Sequence, residues 1–103
     1  MLPEIIGVCV YVVGTPDEQV GGVGVKNFVR NSNGNFTIYF HFDVVGVCME
    51  IASIAEWEAP GCVTAYGDPN IGSNVVSVRT SRPSGELWDM TFQLLVVQYA
   101  VTL

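Results

Sequence analysis

Asn33-Gly34-Asn35-Phe36-Thr37-Ile38-Tyr39-Phe40-His41-Phe42-Asp43 is the stretch whose reading decides the fold. Phe36, Ile38, Phe40 and Phe42 fall on one side of an extended chain, and Thr37, Tyr39, His41 and Asp43 on the other. That is the period-2 pattern of a strand with one dry face. Asn-Gly just before it accepts the positive φ angles of a tight hairpin. Residues 22–30 therefore read as a strand that doubles back into residues 36–43, with Val23, Val25, Asn27 and Val29 opposite Lys26, Phe28 and Arg30.

The same reading extends both ways. Residues 4–13 alternate as a first strand, Ile6, Val8, Val10 and Val12 against Ile5, Cys9, Tyr11 and Val13, and residues 14–18 form a Gly/Pro/Asp turn. Residues 44–57 carry helix-favouring Met, Ala and Glu, but Val47, Met49, Ile51 and Ser53 alternate, so a strand is expected. Pro60-Gly61 marks a turn, 62–66 a short strand, 67–73 an exposed loop, 74–81 a strand, 82–86 a hairpin-like link and 91–102 the last strand. Seven or eight short strands at regular intervals predict one all-β domain over residues 1–103, an antiparallel, jelly-roll-like sandwich.

Half of the 103 residues are hydrophobic and 14% are charged, against roughly 25% charged in an average domain. A domain of this size buries only about 60–70% of its unfolded surface, so apolar side chains should outnumber interior positions. The final strand concentrates the surplus, with Phe92, Leu94 and Val96 on one face and Leu95, Val97 and Tyr99 on the other. These six are the expected interface of an obligate homo-oligomer.

With a net charge of −6 and only Lys26, Arg30, Arg79 and Arg82 as cations, the chain lacks the clustered bases that nucleic acid requires. Its longest apolar runs, 44–49 and 94–97, fall far short of the ~20 residues of a spanning helix. Met1-Leu2-Pro3-Glu4 has no basic region ahead of an apolar stretch, so no signal peptide is expected. Cys9, Cys48 and Cys62 make an odd count without CxxC spacing, which predicts free buried thiols in a chain folded in a cytosol.

No constellation predicts catalysis, a cofactor or a metal. His41 is the sole histidine and has no spacing partner; Glu56 and Glu58 read as solvated neighbours at a strand end. Gly21-Gly22-Val23-Gly24 leads into a strand rather than a helix and makes no phosphate cradle. Asp43, Glu50, Asp68 and Asp89 lack calcium-loop spacing. Of the aromatics Trp57, Trp88, Tyr66 and Tyr99, Tyr66 and Trp88 sit beside turns. With Asp68 and Asn70 they form the expected surface-contact set.

Residues 25–40, and 76–80 followed by 85–96, resemble the C-terminal head domains of bacteriophage tail fibres and tailspikes. In both, a strand ending in Val and Arg turns through Gly into an alternating strand closed by Phe, and a small-residue hairpin leads through Asp to a Phe-started terminal strand. The resemblance covers most of the chain from Val23 onward. It implies a non-enzymatic, homotrimeric virion surface protein folded in the host cytoplasm. The chain begins with Met at the domain edge and shows no shaft, so a capsid decoration (cement) protein touching the major capsid protein is expected ahead of a fibre head attached to host surface polysaccharide. A secreted trimeric head of the complement or tumour-necrosis-factor type shares the jelly-roll look, but should carry a signal segment or paired cysteines.

Overall fold

The computed structural model describes residues 4–11, 19–55 and 60–98, which form eight strands and no helix. They are β1 (Glu4–Tyr11), β2 (Gln19–Val23), β3 (Val25–Ser32), β4 (Asn35–Phe40), β5 (Cys48–Ile54), β6 (Cys62–Gly67), β7 (Val75–Ser81) and β8 (Phe92–Gln98). Two four-stranded sheets, ordered β2-β1-β8-β5 and β3-β4-β7-β6, pack face to face. Every pairing is antiparallel. The β1–β2, β3–β4 and β6–β7 neighbours are consecutive, while β1–β8 pairs the first strand with the last.

The alternation of residues 36–43 builds the core as expected. Phe36, Ile38 and Phe40 of β4 and Val76 and Val78 of β7 meet Cys9, Phe92, Leu94 and Val96 of the other sheet, all fully buried. Phe36 joins the layers, its ring 5.2 Å from Phe92 and 5.8 Å from Phe28. At about 25 cal/mol per Å² of buried apolar area, these side chains supply the main driving force for folding.

Three strand readings change. Residues 22–30 are not one strand: the chain breaks at Gly24, φ +76°, and β2 and β3 lie in different sheets. A Cβ there would meet the Ile6 carbonyl at 2.6 Å and the Phe42 ring at 2.5 Å, so only glycine makes this crossing. The strand at 36–43 ends at Phe40, where His41 N–H donates to Gly24 O and Asn74 Nδ2 to Phe40 O. Within residues 44–57 the described element is a strand rather than a helix, as alternation indicated, but β5 covers only Cys48–Ile54 and follows a turn in which Cys48 N–H donates to Val44 O at 3.1 Å; residues 56 and 57 lie outside the described residues.

The Asn33-Gly34 hairpin forms as read, Ser32 opposite Asn35 and Gly34 at φ +72°. The 82–86 link is likewise a miniature hairpin: Gly85 N–H donates to Arg82 O, Arg82 N–H to Glu86 O, and Ser81 bridges Leu87.

Candidate functional site

Among the described residues, the outer face of the β2-β1-β8-β5 sheet leaves four large hydrophobic side chains exposed side by side. Register assembles it in rows. Val23 lies opposite Val8, Val8 opposite Leu95 and Leu95 opposite Ile51, an apolar line across all four strands. Beside it run Ile5, Val97 and Met49. Ile5, Val23, Met49 and Ile51 are 47–62% exposed. Val8, Leu95 and Val97 are half-buried by their neighbours. Ser53 opposite Gln93 forms the polar end, and no described side chain on this face is ionisable.

A bulge explains why the sequence hid this face. Strict alternation groups Ile5 with Cys9 and Val8 with Ile6. In the structure the β1–β8 register shifts between Ile5 and Gly7, so that Ile5 faces Val97 and Val8 faces Leu95 on the same side. Ile6 turns to the core instead. Gly7 allows this because Phe40 Cε1 stands 2.6 Å from where its Cβ would be.

The expected oligomer interface divides in two. Leu95 and Val97 belong to the outer face, whereas Phe92, Leu94 and Val96 are fully buried in the chain's own core and face no second copy. The reason is topology: β8 is the central partner of β1 and β5, so its inner side is covered by the opposite sheet. Tyr99 lies outside the described residues.

The expected surface-contact set also divides. Asp68 is buried, not displayed: Oδ1 accepts the Asn70 N–H at 3.2 Å and Oδ2 the Ser77 hydroxyl at 2.9 Å, closing the 67–73 loop from within. Tyr66 and Asn70 are exposed near that loop. Trp88 stands towards the opposite end of the same sheet, its N–H on Thr80 O while Tyr66 faces Ser77, a separation of roughly 10 Å along β7. The Trp88 ring lies 3.9 Å from the Arg82 guanidinium, which also meets Glu86 at 3.3 Å. Together with Pro60, Pro83 and Met90, Trp88 and Arg82 line a cleft of about 290 Å³.

Of the three free cysteines, Cys9 and Cys48 are buried and Cys62 is exposed, against the expectation that all would be buried. Burial pushes the Cys9 thiol up to about 12. Cys48 is raised as well, by burial and then by the Glu50 charge. Glu50 sits half-buried on the inner side of β5, its Oε1 3.3 Å from where a Gly67 Cβ would be. Burial raises its carboxyl pKa, and its own backbone N–H partly offsets that. His41 is exposed. Glu56, Trp57 and Glu58 lie outside the described residues. Among the described residues no three His, Cys, Asp or Glu side chains converge as metal ligands. No family model, curated protein or solved structure matches this chain.

Proposed function

We propose that this protein is a non-enzymatic structural component of a bacteriophage particle, a self-associating β-sandwich that decorates the capsid surface. The observation that carries the reading is the uncovered apolar face of the β2-β1-β8-β5 sheet, which a single chain leaves in water. Contiguous exposed apolar surface of this kind marks an assembly face. Among the described residues the acidic side chains, Asp43, Glu50, Asp68, Glu86 and Asp89, lie off that face. Placement on a virion is supported by the tail-fibre-head resemblance from Val23 onward.

A fibre head attached to host surface polysaccharide is the second reading. It is favoured by the cleft beside Trp88, an exposed aromatic at one end of the sandwich.

Imaging the protein on intact particles by cryo-electron microscopy separates the two. Many copies at regular lattice positions are expected. A few copies at the tail would move the assignment to the fibre head, and particles without the protein would overturn both.

A further inference from the structure

We infer that the outer face of the β2-β1-β8-β5 sheet is covered by the same face of a second copy of this chain, the two sandwiches stacking across a two-fold axis. This rests on the reading of the protein as a self-associating module, and adds where the copies meet and with what symmetry.

Charge is the first argument. The chain carries −6 overall, yet no described side chain on this face is ionisable. Among the described residues, two acidic copies therefore meet here without bringing like charges into contact, and a partner chosen by charge finds nothing to pair with.

Shape is the second. Stacked sheets lie about 10 Å apart with their strands within roughly 30°, because each carries the same right-handed twist. A second copy of this sheet matches the first in twist and strand number by construction. The rows Val23-Val8-Leu95-Ile51 and Ile5-Val97-Met49 then play for the pair the part that Phe92, Leu94 and Val96 play inside the chain.

Area is the third. Four strands about 4.8 Å apart and about 23 Å long present a face whose pairing hides on the order of 1,000 Å² in total. That reaches the lower bound of about 1,000 Å² for a specific contact and is about half of what an obligate interface buries. The pair is therefore reversible rather than obligate. A threefold ring needs two different patches on each chain, whereas a single self-complementary face closes only about a two-fold axis. The trimer implied by the fibre-head resemblance would require a further contact. In the pair, the β3-β4-β7-β6 sheet with Tyr66, the 67–73 loop and the Trp88 cleft stays on the outside of both copies.

Sedimentation over a concentration series tests this with the whole chain. The protein is expected to pass from monomer to dimer, Ile51→Glu to weaken the pair at least roughly tenfold, about 1.4 kcal/mol, and Tyr66→Glu on the other sheet to leave it unchanged. Thermal melting confirms that each variant is folded. Leu95→Cys, at the centre of the face, in a Cys62→Ser background is expected to give a covalent dimer with a short bis-maleimide, a readout that does not depend on Ile51→Glu folding. A dimer that withstands Ile51→Glu and is not bridged through Leu95→Cys overturns the face assignment and leaves self-association standing. A trimer overturns the two-fold axis. A monomer at every concentration overturns both this inference and the self-association it rests on.

Discussion

Asp89 holds Arg30 across 59 residues of chain, Oδ2 accepting from Nε at 2.8 Å and from Nη2 at 2.7 Å. Its other oxygen takes the Gly34 N–H at 2.7 Å, and its own N–H donates to Asn33 Oδ1 at 2.6 Å. One residue of the β7–β8 link thus fastens the tip of the β3–β4 hairpin. Asp89→Ala strands the part-buried Gly34 N–H and removes the arginine's contact with Asp89, and should cost about 2–3 kcal/mol. Arg30 is half-exposed, so Arg30→Ala should cost under about 1 kcal/mol. Urea unfolding of the two variants measures the difference, and equal losses would show that the ion pair, not the Gly34 bond, matters.

Gly34 and Gly46 share a left-handed backbone, φ +72° and +78°, but not their surroundings. A Cβ on Gly34 would run into Thr80 O and stand 2.6 Å from Trp88 N, whereas one on Gly46 meets nothing within 4 Å. Gly46→Ala should therefore cost only the backbone term, about 1–2 kcal/mol. Gly34→Ala adds a backbone clash and should exceed about 3 kcal/mol or abolish folding. Melting temperatures of the pair decide it.

Glu50 predicts a pH dependence of definite sign. Its folded pKa is raised above the ordinary 4.5 by burial, so the folded state binds the proton more tightly than the unfolded chain does. Its charge penalises the fold above the raised pKa, and that penalty fades as pH falls through it and is gone below the unfolded value. Glu50→Gln should raise the melting temperature near pH 7 by up to a few degrees and leave it unchanged near pH 4. A variant that melts lower at both pH values would show that the carboxylate contributes more by packing over Gly67 than it costs by burial.

The two sides of β8 should answer differently to truncation. Leu94→Ala opens a cavity between the sheets and should cost about 3–5 kcal/mol. Leu95→Ala, on the outer face, should cost about 1 kcal/mol or less at concentrations where the chain is monomeric. Denaturant titration in dilute solution is the measurement, and comparable losses would mean that the outer face is already covered.

Alternation and turn chemistry made most of the fold readable from sequence. The Asn33-Gly34 hairpin, the dry face of β4, the strand character of residues 48–54 and the loop at 67–73 follow from local residue choice. What escaped depends on partners distant in sequence. Nothing local says that Gly24 divides a run of alternating residues between two sheets, since the reason is the Phe42 ring and the Ile6 carbonyl beside it. The bulge between Ile5 and Gly7 reverses the facing of β1 and is visible only against β8. Asp68 reads as a loop residue by composition, yet its burial follows from Ser77, a partner that appears once β6 and β7 pair. Leu95 and Val97 were separable from Phe92, Leu94 and Val96 by parity, but which set faces inward needed the sheet order.

Because β8 lies between β1 and β5, the last of the eight strands is the keystone of its sheet. Until it arrives, β5 has no ladder partner in that sheet and the β1–β2 hairpin stands apart from it. During synthesis the chain must therefore hold the β1–β2 hairpin and the lone β5 with open edges until Gln98 has cleared the ribosome. Pairings that join the first strand to the last are the slow, non-local kind. Premature termination before Phe92 should then yield not a smaller domain but a chain with bare strand edges, prone to pair with its neighbours.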